Sequence, residues 1–192
     1  MGEYLTLAGK HEGFEVVTVP PVGDEIERIS STRIRGLIAD GQMEEADRLL
    51  GHSYEIRGVV ERGAGRGHGL GFPTANVRPP AKLLPKDGVY AAVARFDGRD
   101  YAALVSIGTN PTFVSSRAKR SEVEGQAECT QSLQENARTI EAWLRDFHST
   151  IYGQELTLRD LRFVREQQAF ASVDELVVQM NADREAVAYP SY

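Results

Sequence analysis

Cysteine is nearly absent from this 192-residue chain. Cys129 is the only one, which rules out an intrachain disulfide and any cysteine-built zinc cage. That usage agrees with a reducing compartment. Long apolar runs are missing as well, the longest falling far short of the ~20 residues that a membrane-spanning helix needs. The opening residues, MGEYLTLAGKHEG, have neither the basic start nor the apolar middle of a secretory leader. The expectation is a soluble, cytoplasmic protein. Positive charge is not in excess: 22 Lys and Arg face 28 Asp and Glu, for a formal net charge of −6. Such a surface repels phosphate backbones and no tight basic cluster offsets it, so neither nucleic acid nor a membrane is expected as a partner. The common nucleotide signatures are lacking too. The only Gly-Lys pair, Gly9-Lys10, runs into His11 rather than completing a Walker A loop, and no GxGxxG spacing occurs.

What remains is the composition of an ordinary globular domain, 41% hydrophobic and 26% charged, with enough length for one packed domain and a short appendage. Residues 14–19 (FEVVTV) alternate like a single strand and stop at Pro20-Pro21. From Ser30 to Gly51 the pattern predicts two short helices. Ser30, Ser31 or Thr32 can cap the first, which carries Ile34, Leu37 and Ile38 and ends at Gly41. Met43, Ala46, Leu49 and Leu50 stripe the second, which Gly51 closes.

Strands are predicted over 54–60, 89–96, 101–107, 139–147 and 156–164, with Asp97-Gly98 as a hairpin turn. Ser172 and Glu175 fit a capping box opening a last helix that would bury Leu176, Val177, Met180 and Val187. The expected fold is mainly β: a small closed antiparallel, Greek-key-like barrel with a C-terminal helix, preceded by a short α/β stub. Residues 114–137, rich in Ser, Glu, Gln and Arg, read as a surface insertion or as a lid over a site.

The most informative stretch is GAGRGHGLGFPTAN, residues 63–76. Gly63, Gly65, Gly67, Gly69 and Gly71 recur at alternate positions, so the backbone can approach a ligand and turn its amides toward an anion. A flexible hairpin would show the same glycines. Thr74 and Asn76 lie two apart, and on an extended segment both oxygens face one side. Beside a phosphate nest, that pair suits Mg²⁺, which takes oxygen ligands; without the nest, both side chains would simply bond within a turn.

These residues closely resemble the signature of the riboflavin kinases, in particular the kinase half of the bacterial bifunctional riboflavin kinase/FMN adenylyltransferases. The likeness continues through Leu84-Pro-Lys-Asp-Gly-Val-Tyr90, Ile107-Gly-Thr-Asn-Pro-Thr-Phe113, Ile140-Glu-Ala-Trp-Leu-Arg-Asp-Phe147, Tyr152-Gly153 and Phe163-Val-Arg-Glu-Gln-Gln-Ala-Phe170, in the family's order. Upstream, Ile29-Ser-Ser-Thr-Arg-Ile-Arg35 resembles the closing motif of the adenylyltransferase domain. That domain's His-x-Gly-His motif is not in this chain, where His11, His52, His68 and His148 stand apart. Residues 1–50 are therefore read as the remnant of an adenylyltransferase domain, inactive here, and residues 51–192 as the kinase domain.

The resemblance implies transfer of the ATP γ-phosphate to the 5′-hydroxyl of riboflavin, giving FMN and ADP. It implies Glu141 as general base, Thr74 and Asn76 as Mg²⁺ ligands, and Gly63 to Gly71 with Arg66 around the ATP phosphates. It also puts Arg165 and Phe170 beside the flavin. Two features depart from the family: residues 114–137 replace a much shorter loop, and Trp143 stands where His or another residue is common. A flavin- or nucleotide-binding module with impaired catalysis is the alternative. An oligonucleotide-binding barrel is disfavoured by the acidic composition.

Overall fold

The structure is a computed structural model, and it describes residues 2–17, 19–20, 22–23, 28–63, 73–79, 82–109, 138–185 and 187. The chain divides into two units, residues 1–33 and 34–192. The expected insertion at 114–137 and most of the glycine-rich stretch, residues 64–72, lie outside the described residues.

The first unit opens with helix α1 (Gly2–Glu12), which the sequence reading missed. Residues 14–17 and 19, where a strand was expected, are irregular, and the only β feature among the unit's described residues is an isolated Gly23–Arg28 bridge. The reason is physical: a lone alternating segment has no partner for its backbone N–H and C=O groups. The expected α/β stub is therefore helical. Helix α2 (Ser31–Ala39) starts as the sequence suggests, with the Ser30 hydroxyl accepting the Arg33 N–H at 3.2 Å. Helix α3 (Met43–Leu50) ends at Gly51, in the left-handed conformation.

Six strands then close into a barrel: β1 (Ile56–Glu61), β2 (Thr74–Val77), β3 (Gly88–Phe96), β4 (Arg99–Gly108), β5 (Thr139–Leu144) and β6 (Glu155–Arg165). Their order around the barrel is β1-β2-β5-β4-β3-β6, every pairing antiparallel. Strands β3, β4 and β5 run as a meander and β6 returns beside β3, which is the Greek key expected. Closure leaves no sheet edge to pair with other chains.

The β3–β4 hairpin turns on Asp97 and Gly98, both at positive φ (48° and 70°), the turn whose twist matches the flanking strands. A bulge in β6 falls at Asp160, also at positive φ, whose carboxylate accepts a hydrogen bond from the Ser53 hydroxyl.

Alternation decides which side chains fill the barrel. Val105, Ile107, Ile140, Ala142, Leu156, Leu158 and Tyr90 are fully buried in one cluster, which Met43 and Ala46 of α3 extend outside the strands. Burial pushes the Tyr90 phenol up to about 12, so it stays protonated and donates to the Lys86 carbonyl at 2.7 Å. The last helix, α4 (Val173–Glu185), starts at a modified capping box: Ser172 accepts the Glu175 N–H, while the Glu175 carboxylate reaches back to the N–H of Ala171. Leu176 is buried as expected, Val177 and Met180 are half-buried, and Val187 is buried past the helix end. Among the described residues, no helix is long and apolar enough to cross a membrane.

One pH effect follows from the barrel wall. Asp100 accepts from Arg95 at 2.7 Å and from Arg159 at 2.7 Å, and these guanidiniums, Arg95 first, hold its carboxyl below the ordinary 3.8. A lowered folded-state value stabilises the fold above the unfolded value and loses that contribution as pH falls through the folded one. Wild type is therefore expected to lose stability below about pH 4 more steeply than Asp100→Asn, as checked by denaturant midpoints at pH 3 and pH 6.

Candidate active site

The site is built on the outer face of three neighbouring strands. In β5, Ile140, Ala142 and Leu144 point into the core, which turns Glu141 and Trp143 outward. In β2, Val77 and Ala75 face the core, so Thr74 and Asn76 share the outer face. The register then does what sequence spacing cannot: Asn76 sits directly across from Glu141, and Thr74 across from Trp143. On the far side of β5, Ser106 of β4 also faces Glu141. Asn76, Glu141 and Ser106 thus form one rung across three strands, each half-buried. Facing side chains on such a ladder have Cβ atoms ~5 Å apart, close enough to act on one small ligand.

Gly63 closes this face. A Cβ placed on it would collide with the Asn76 side-chain amide, so glycine is what lets the end of the glycine-rich stretch lie against Asn76. Gly65, Arg66, Gly67, Gly69 and Gly71 lie outside the described residues. A separate cavity of about 270 Å³ lies on the core-facing side of β2 and β5, lined by Val60, Ala75, Ala142 and Leu144 together with Phe147 and His148 of the segment after β5.

The two residues assigned to flavin behave differently. Arg165, at the end of β6, is only 17% exposed and forks onto Asp183 of α4: Nε donates to Oδ1 at 2.9 Å and Nη2 to Oδ2 at 2.6 Å. Phe170, in the segment between β6 and α4, is half-buried and not packed on the core cluster. From the same segment, Gln167 donates through Nε2 to the Ser106 hydroxyl at 2.9 Å. Farther along α4, Arg184 stacks over the Trp143 ring with its guanidinium carbon 5.4 Å from the centroid, and its carbonyl accepts from Arg145 at 2.7 Å.

Sequence reasoning missed Ser106, Gln167 and Asp183. Ser106 had a faint signal, as the lone polar outward residue in the apolar run Ala102–Ile107. Asp183 had another, as a carboxylate seven residues after Leu176 and so on the same helix face.

As a donor set, the face offers a hydroxyl, an amide and a carboxylate, all oxygen ligands of the kind that Mg²⁺ takes together with phosphate oxygens and water. No cluster of three His, Cys, Asp or Glu that could hold a metal by itself occurs among the described residues, so a cation here would depend on a phosphate-bearing ligand for the rest of its shell.

Comparison with known proteins gives this face a context. The family described as "Flavokinase: Riboflavin kinase" matches residues 50–189. The bifunctional riboflavin kinase/FMN adenylyltransferase of Listeria monocytogenes is 36% identical over 186 residues, covering 96% of this chain and 53% of that protein. Its counterparts from Pseudomonas fluorescens and Escherichia coli K12 are each 32% identical, covering 98% and 95% of this chain and 56% and 53% of theirs. A crystal structure described as a macrolide-efflux protein from Streptococcus pneumoniae superposes with a TM-score of 0.75 at 34% identity, over 96% of this chain and 54% of that one. The chain spans about half the length of these relatives. With the family match running from the end of α3 through α4 and the barrel and outer-face rung in place, the chain belongs to the riboflavin kinase family.

Proposed function

We propose that this chain phosphorylates riboflavin with Mg-ATP to give FMN and ADP. The observation that carries the reading is the rung on which Asn76 faces Glu141, with Thr74 on the same side and Gly63 against Asn76. It brings a carboxylate next to the two groups suited to a phosphate-bound cation. Glu141 accepts the proton of the riboflavin 5′-hydroxyl as that oxygen bonds to the γ-phosphorus and the bond to the β,γ-bridging oxygen breaks, releasing ADP. Thr74 and Asn76 hold Mg²⁺, which when bound neutralises charge on the phosphate oxygens. The glycine-rich stretch from Gly63 to Gly71, with Arg66, wraps the phosphates.

The flavin ring packs beside Phe170, with Arg165 forming the wall behind it through Asp183. Residues 29–35 resemble the closing motif of an adenylyltransferase domain and these residues carry no His-x-Gly-His, so FMN rather than FAD is the product expected of them. The exposed apolar side chains Tyr4, Leu7, Val17, Val19 and Val22 agree with a segment that ordinarily packs in a larger domain.

The test is to incubate the chain with riboflavin, ATP and Mg²⁺ and to separate the flavins by chromatography. FMN without FAD is expected. FAD would overturn the reading of residues 1–50, and bound riboflavin without product would leave a binding module in place of an enzyme.

A further inference from the structure

We propose that Asp87, flanked by Arg138 and Gln167, recognises the imide edge of the flavin ring and so sets the substrate specificity of this site; the inference rests on the kinase reading above. The three side chains come from distant parts of the sequence and meet because four strand ends align. Gly108, the last residue of β4, pairs with Thr139 of β5. Arg138 stands one residue before β5, Asp87 one residue before β3, and Gln167 two residues after β6. Arg138 ion-pairs through Nη2 with Asp87 Oδ1 at 2.7 Å, and the same nitrogen donates to the Pro85 carbonyl. Asp87 and Gln167 converge on the bare backbone of Gly108, which lies at φ 150°. A Cβ placed there would come within 2.9 Å of Asp87 Cγ and 2.5 Å of Gln167 Oε1. Gln167 is held from the other side, donating Nε2–H to the Ser106 hydroxyl at 2.9 Å.

The cluster lies where a substrate engaged at Glu141 would extend. Thr74 is across from Trp143, on one side of Glu141 along β5; Gly108 is across from Thr139, on the other. Two residues of strand, about 7 Å, separate Gly108 from Ser106, the residue across from Glu141. With phosphates at the Thr74 side, the ribityl chain runs toward Gly108 and carries the ring to this cluster. Phe170, three residues beyond Gln167 and half-buried, offers the ring an aromatic face.

The pyrimidine edge of a flavin presents an N–H between two carbonyl oxygens, so its complement is an acceptor between two donors. Asp87 is that acceptor. Its side chain is 46% exposed, and with Oδ1 taken by Arg138, Oδ2 holds no hydrogen bond among the described residues. The donors on either side are Arg138 Nη1 and the second Nε2–H of Gln167.

The experiment compares riboflavin with 3-methylriboflavin, in which a methyl group replaces the imide proton, as substrates of wild type, Asp87→Ala, Asp87→Asn and Gln167→Leu, with thermal melts of each. Wild type is expected to show a KM about tenfold to a hundredfold higher for the methylated flavin, the loss of a hydrogen bond to a charged group. Its kcat stays within about threefold, because the interaction is equally present before and during phosphoryl transfer. Asp87→Ala raises the KM for riboflavin by a similar factor and brings the two flavins within about twofold of each other. Asp87→Asn, which keeps the shape but accepts a weaker bond, gives an intermediate ratio and serves if the alanine variant does not fold. Gln167→Leu raises both flavin KM values severalfold and leaves their ratio as in wild type.

Equal KM values for the two flavins in wild type, or an undiminished preference in the Asp87 variants that fold, would overturn the recognition role while leaving the kinase reading intact. A wild type that makes no FMN from riboflavin would overturn both.

Discussion

Exchange of Glu141 for Gln is expected to slow FMN formation by a factor of about 10² to 10⁴, the range that positioned proton acceptors contribute. Gln keeps the side chain's length, shape and one carbonyl oxygen, so the rung with Asn76 and Ser106 persists. What it loses is basicity: an amide oxygen cannot take the hydroxyl proton as the bond to phosphorus forms. The loss therefore falls on kcat, with the KM values for riboflavin and ATP changed by less than about threefold, the pattern for an interaction made only in the transition state. Since Glu141 is half-buried on the outer face rather than in the core, the melting temperature should hardly move. Steady-state rates of FMN formation, with riboflavin binding followed by its fluorescence, check both halves. A variant that keeps the wild-type rate would remove Glu141 from the chemistry. A variant that no longer binds riboflavin would make it a structural residue instead.

How far the sequence could anticipate this depended on the range of the interactions. Local signals were reliable: Ser30 at the start of α2, Gly51 at the end of α3, and Asp97-Gly98 between β3 and β4 each act through neighbouring backbone. The barrel was legible because 89–96, 101–107 and 156–164 are short runs rich in β-branched and aromatic residues, the first two separated by the Asp97-Gly98 turn. Helix α1 was not legible, since Tyr4, Leu5 and Leu7 are all exposed and give no clean buried stripe. The segment after it alternates like a strand, but a strand is a property of pairs. The site divided the same way. Thr74, Asn76 and Glu141 could be named one by one, yet their meeting is set by the β2–β5 register, which joins distant parts of the chain. Ser106 enters only through the β4–β5 register, and Gln167 only through a side-chain bond across the fold. Arg165 was read as a flavin contact. Its tie to Asp183 was invisible because nothing in spacing says that β6 and α4 meet there.

That tie carries the second large effect: Asp183→Ala is expected to destabilise the protein by about 3 kcal/mol, lowering its melting temperature by roughly 6–12 °C. Asp183 is only 5% exposed and is the one buried charged side chain among the described residues. Its carboxylate accepts from Arg165 Nε, shared between both oxygens, from Arg165 Nη2, and from Gln179 Nε2 at 2.9 Å. The net worth of a buried pair is small, because each charge gives up its hydration; removing one partner is costly, because the other stays desolvated and alone. Arg165 keeps its Nη1 bond to the Glu166 carbonyl at 2.9 Å and some contact with water, which puts the cost at the low end of the usual range for such breaks. Replacing both partners by apolar residues, Arg165→Met with Asp183→Leu, should recover most of the loss, a coupling that a double-mutant cycle of thermal melts reads directly. Loosening α4 also frees Arg184 from Trp143, the neighbour of Glu141 on the outer face of β5, so the single variant should bind riboflavin more weakly even well below its melting temperature. If Asp183→Ala melts like wild type, the pair does not hold the helix to the barrel. If the apolar double variant is as unstable as the single one, the loss comes from packing rather than from a stranded charge.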